Sequence, residues 1–133
     1  MAKLIETYFK KIGDAEQIQY LLASKDRDEN NIVLGLILFN IQNEYPTIHY
    51  ELINNNLEIS QVSHSYHTIL NFSFRNNRLN VYLKLNPLSL FNRISEHDPV
   101  LVADIKKILA KLSFKLEEEK YFSEGIKYYI FNW

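Results

Sequence analysis

Residues 68–85 constrain the fold more than any other stretch of the chain. Two runs, 68–75 (TILNFSFR) and 78–85 (RLNVYLKL), flank Asn76-Asn77. A two-residue turn there fixes the pairing of a β-hairpin. It sets Phe74 opposite Leu79, Phe72 opposite Val81 and Leu70 opposite Leu83. The other face receives Arg75 with Arg78, Ser73 with Asn80 and Asn71 with Tyr82. Apolar meets apolar and polar meets polar at every step, and a one-residue slip would destroy the match.

Asn supplies the turn chemistry elsewhere too. Only three glycines occur (Gly13, Gly35, Gly125), whereas Asn is paired or tripled at 30–31, 54–56 and 76–77. Asn tolerates left-handed backbone angles and so punctuates turns. A hairpin of Thr47–Ile53 and Leu57–Val62 across the Asn54–Asn56 turn is predicted before the main one. Phe114–Tyr121 and Ile126–Trp133, joined at Ser123-Glu124-Gly125, give a further pair of strands.

Helices are predicted at both ends of this β-rich middle. Residues 2–12 place Leu4, Ile5, Tyr8, Phe9 and Ile12 on one face, and Asp14 caps a second piece with Ile18, Leu21 and Leu22. Residues 24–31 read as a charged loop. Ile32–Gln42 is apolar nearly all round, so it is a buried helix or a central strand; an Asn30 or Asn31 cap and Pro46 beyond its end tip it towards helix. Pro87 opens a short helical turn (Leu88, Leu90, Phe91, Ile94). Asp98-Pro99 caps a helix to about Leu112, with Leu101, Ile105, Ile108, Leu109 and Leu112 as its stripe. The expectation is a single α+β domain over residues 1–133. An N-terminal helix or helices and a helix in the C-terminal half pack on a mostly antiparallel sheet of hairpins.

Composition narrows the function. With 133 residues the chain buries a core without metal or disulfide. The absence of Cys removes thiol catalysis, iron–sulfur clusters and Cys-ligated zinc. Three scattered glycines form no phosphate loop. No targeting segment is visible, because residues 2–12 are interrupted by charge at every turn. The longest apolar run, Ile32–Phe39, is far short of the roughly 20 residues a bilayer requires. The expected location is cytoplasmic, with no membrane partner.

No constellation compels catalysis, and no catalytic residue, cofactor or metal ligand is assigned. His49, Glu51, His64 and His67 could in principle supply a His/His/Glu metal set, but their spacing is that of exposed loop and strand-end side chains. His97-Asp98 is sufficiently explained by the helix cap. Arg75, Arg78, Tyr82 and Lys84 share the polar face of the main hairpin and form a candidate surface of basic and aromatic residues. The net charge of −1 gives no electrostatic push towards nucleic acid, which is not the expected partner.

The charge is split along the chain. Residues 26–66 hold Arg27 against six acidic residues, whereas residues 67–115 hold eight basic residues against three acidic ones. Such a division can steer a charged macromolecular partner. The candidate partner-binding residues are the acidic Asp26, Asp28, Glu29, Glu117, Glu118 and Glu119, with the aromatic Tyr129, Phe131 and Trp133. The last strand is apolar on both faces, so it is either covered twice or leaves aromatics free for association.

In type (small, Cys-free, Gly-poor, with acidic loops and no catalytic motif) the chain resembles small bacterial inhibitor or immunity proteins that neutralise a partner toxin. It is also similar to secretion chaperones, which are small α+β dimers. The resemblance implies a non-enzymatic protein-binding module that occludes a basic active site, as monomer or dimer. The alternatives are a small metal-dependent enzyme or ligand-binding domain using the His/Glu cluster, and a chaperone-like dimer.

Overall fold

The computed structural model describes residues 29–62, 66–88, 100–123 and 125–132. Their order is α1 (Glu29–Glu44), β1 (His49–Ile53), β2 (Asn56–Val62), β3 (Tyr66–Arg75), β4 (Arg78–Pro87), α2 (Val100–Lys111), β5 (Lys115–Ser123) and β6 (Ile126–Asn132). The six strands form one antiparallel sheet in the order β1-β2-β3-β4-β6-β5, with two helices packed on it, an α+β fold. Pro87, expected to open a helical turn, is instead the last residue of β4, paired with Tyr66. The predicted helices of residues 2–23, the rest of that turn (89–94) and the Asp98-Pro99 cap lie outside the described residues.

The main hairpin forms in the expected register. Phe74 pairs with Leu79, Phe72 with Val81, Leu70 with Leu83 and Arg75 with Arg78. Asn76 and Asn77 both take positive φ, 52° and 62°, as a tight two-residue hairpin turn requires. The preceding hairpin repeats the device with Asn54 and Asn55 at 48° and 63°. Its register pairs Ile53 with Asn56, and β1 begins at His49 rather than Thr47.

The ambiguous apolar run is a helix, and it begins earlier than the proposed caps. Asn30 and Asn31 lie inside α1, so neither is the residue that precedes it. Asn31 Oδ1 instead accepts a hydrogen bond of 2.6 Å from the backbone N–H of Asn55 and ties α1 to the β1–β2 turn. Val33, Leu34, Leu36, Ile37, Leu38 and Ile41 are all buried, which accounts for a helix apolar on nearly every side.

α2 carries the expected stripe: Leu101, Ile105, Ile108, Leu109 and Leu112 are buried. Its C-terminus closes in a Schellman motif. The Phe114 N–H donates to the Leu109 carbonyl at 2.9 Å and the Ser113 N–H to the Ala110 carbonyl at 3.0 Å, with Ser113 at φ 69°. This motif starts β5 at Lys115.

The core lies between the helices and one face of the sheet. Leu57 and Ile59 of β2, Leu70 and Phe72 of β3, Leu79, Val81 and Leu83 of β4, and Tyr129 and Phe131 of β6 are all buried there. This corrects the reading of Tyr129 and Phe131 as partner-binding residues. β6 is an interior strand with β4 on one side and β5 on the other. Its odd-numbered positions face the helices, leaving Tyr129 only 1% and Phe131 3% exposed.

Candidate functional site

Two surfaces carry the remaining candidate residues, and the first is β5. It is one of the two outer strands of the sheet, β1 being the other, and all nine of its residues are exposed. The pairing with β6 is irregular at Glu117 and again at Phe122, leaving Glu118–Tyr121 as its regular stretch. Such bulges shorten an edge that could otherwise template pairing with another chain. Leu116, Tyr121 and Phe122 are nevertheless exposed by 44%, 51% and 62%.

The three glutamates of β5 are not a free acidic patch. Glu117 lies 3.3 Å from Arg78, and Glu118 lies 3.1 Å from Lys120. Glu119 receives both Lys106 of α2 and Lys127 of β6, each at 3.5 Å. Lys106 also sits 4.7 Å above the Tyr129 ring, a cation–π contact that presses α2 onto β6. Folding thus joins Glu117 and Glu119 to Arg78 and Lys106, two cations of the basic 67–115 stretch. Asp26, Asp28 and Trp133 lie outside the described residues; Glu29 begins α1.

The second surface is the sheet face opposite the helices. Position parity puts Arg75, Arg78, Asn80, Tyr82 and Lys84 on it together with Glu58, Asn71, Ser73 and Tyr128. A depression of about 540 Å³ opens on this face, lined by Asn56, Glu58, Asn71, Arg75, Tyr82, Lys84 and Tyr128 among others. That volume falls within the range of ligand pockets.

An aromatic row runs from the depression towards β5. Tyr82 and Tyr128 are direct cross-strand partners, their rings edge-to-face with centroids 4.8 Å apart. Phe122 meets Tyr128 in the same manner at 5.2 Å. Beside the row, the Asn71 side-chain amide donates to Asn56 Oδ1 at 2.7 Å. Arg75 and Arg78 stand directly opposite each other at the turn end. Arg78 is engaged by Glu117, while Arg75 and Lys84 have no ion-pair partner among the described residues.

The structure brings Arg75, Arg78, Tyr82 and Lys84 to one face, as the hairpin alternation implied. Tyr128 and Phe122 belong to the same surface, and sequence reading did not join them to it. Tyr128 was visible as one apolar side of the last strand, but the pairing of β6 with β4 has no local signal.

The His/Glu set is not gathered. His49 pairs with Ser60 of β2, and His67 pairs with Val62 of the same strand from the other side. Two strand spacings, about 10 Å, therefore separate the strands that carry them. Glu51 faces Glu58 across β1–β2. No three His, Asp or Glu side chains are grouped to hold a metal ion among the described residues, and His64 lies outside them. No described helix is long and apolar enough to cross a membrane.

No family model, curated protein or solved structure matches this chain.

Proposed function

We propose that the chain is a non-enzymatic protein-binding module of the inhibitor or immunity type, acting in the cytoplasm, and that β5 is its docking edge. The supporting observation is the exposure of β5 along its whole length with Leu116, Tyr121 and Phe122 uncovered. An outer strand offers a row of backbone donors and acceptors to an extended segment, and flanking side chains select which segment is accepted. Because Glu117, Glu118 and Glu119 are already engaged by cations of the same chain, charge is secondary here. Backbone pairing over Glu118–Tyr121 and apolar contact at Tyr121 and Phe122 supply the attachment. The partner is a toxin or enzyme with an extended loop beside its active site. Holding that loop against β5 removes it from substrate, so inhibition is by occlusion.

The test is capture from the source cells by crosslinking, with the wild-type chain compared with Tyr121→Glu/Phe122→Glu. The wild type should retain a protein that the double variant loses while its circular dichroism is unchanged. The retained protein should lose its activity when the chain is added in equimolar amount. Equal recovery by both chains overturns the edge, and full activity of the captured protein overturns inhibition.

A further inference from the structure

We infer that the sheet face opposite the helices binds a short stretch of single-stranded nucleic acid across β3, β4 and β6. This is independent of the β5 reading, since its central residues (Arg75, Asn71, Tyr82, Lys84, Tyr128) belong to other strands.

Three features on one surface carry it. The first is charge without partners: Arg75 and Lys84 are exposed cations with no ion-pair partner among the described residues. The second is their spacing. Arg75 stands opposite Arg78, and Lys84 follows Arg78 by six residues along the same strand. At the rise of a β-strand this is about 20 Å. One small anion cannot meet both ends of that track, whereas a backbone with a repeated anion can. The third is the ring pair between the ends. Tyr82 and Tyr128 sit edge-to-face 4.8 Å apart, half-buried, and both line the depression.

Unpaired bases stack on such rings irrespective of their identity, while cations on either side hold the phosphates. Asn56, Asn71, Ser73 and Asn80 offer the amide and hydroxyl groups that base edges require. Glu58 lies on the β2 side of Asn71 and repels phosphate. It therefore confines the backbone to the β3–β4 track. A duplex does not fit this chemistry, because its bases are stacked on one another and cannot reach the tyrosines. An acidic peptide would satisfy the cations and leave the rings idle.

The near-neutral chain makes the interaction modest and its salt dependence shallow. With two phosphates neutralised, the slope of log K against log salt is about −1.4 for a single strand. The experiment is fluorescence anisotropy with labelled single-stranded DNA and RNA of about 12 nucleotides, within the site size of one such platform. A duplex of equal length and a Glu-rich peptide of equal charge serve as competitors. The single strands should bind in low salt with that slope. Lys84→Gln should reduce the slope to about −0.7. Tyr82→Ala should weaken binding by about tenfold, and Tyr82→Phe should retain it. Lys84→Gln and Tyr82→Phe are surface and isosteric changes, so they report even if Tyr82→Ala perturbs the sheet. Absence of binding in low salt, or a slope that Lys84→Gln leaves unchanged, overturns the proposal. Equal competition by the duplex or the peptide also overturns it, the peptide result marking the face as a protein-binding one.

Discussion

The Tyr45 hydroxyl, just beyond the end of α1, donates a hydrogen bond to Asp104 Oδ2 on α2. It ties the residue after α1 to the second helix. Burial, the bond to Asp104 and the charges of Asp104 and Glu44 push the tyrosine pKa up to about 12. The phenol is therefore held protonated more firmly in the folded chain than in the unfolded one. Its contribution to stability is complete below the unfolded value of 10 and is lost as pH rises through 12. Urea unfolding between pH 8 and pH 12 should show that alkaline loss. Tyr45→Phe should flatten it and lower stability near neutrality by about 1–2 kcal/mol.

Glu119 is the hinge of a second tie between α2 and the sheet. Its carboxylate is shared by Lys106 and Lys127, and Lys127 is mostly buried, with only 13% of its side chain exposed. Glu119→Gln removes the negative charge that Lys106 and Lys127 share. The expected loss is about 1 kcal/mol in low salt, since pairs this open to water are worth little more. It should shrink in high salt, where both repulsion and attraction are screened. Chemical unfolding at two ionic strengths checks both parts.

Ser113 and Asn55 occupy left-handed backbone positions, at φ 69° and 63°. A side chain there costs about 1–2 kcal/mol that glycine avoids. Asn55 also leaves its side-chain oxygen buried without a hydrogen-bond partner. Ser113→Gly and Asn55→Gly should each raise stability by about 0.5–1 kcal/mol, after allowing for the greater freedom of glycine in the unfolded chain. Neither substitution removes the backbone bonds of these turns, because both bonds are made by the main-chain N–H. A lower unfolding midpoint in either variant would contradict this account.

Phe131 separates a core role from a surface one. It is 3% exposed on the helix-covered side of β6. Phe131→Ala should therefore cost about 3–5 kcal/mol and bring the domain close to unfolding at ambient temperature. A residue used for partner contact would instead tolerate the change within about 0.5 kcal/mol. Thermal unfolding of the purified variant distinguishes the two.

The parts of the fold that could be read from sequence are those whose signal is local. The β3–β4 register follows from alternation on either side of Asn76-Asn77, and a two-residue turn leaves one alignment open. The α2 stripe follows from 3.6-residue spacing. α1 resisted this reading because a segment apolar on every side carries no period, so only its environment distinguishes helix from strand. The candidate surfaces divide in the same way. Arg75, Arg78, Tyr82 and Lys84 were brought together by the hairpin alone, whereas Tyr128 and Phe122 needed the sheet order to join them.

The last strand shows the boundary most clearly. Its two apolar faces were plain in the sequence, and so was the choice they posed between burial and exposure. Only tertiary structure placed β6 between β4 and β5, buried Tyr129 and Phe131, and left Tyr128 beside Tyr82. Likewise, local sequence showed Glu117, Glu118 and Glu119 as an acidic run, and folding brought Glu117 to Arg78 and Glu119 to Lys106 and Lys127. The physical reason is common to both. Periodicity and turn chemistry act between near neighbours, while the order of strands in a sheet is decided by pairings between residues far apart in the chain.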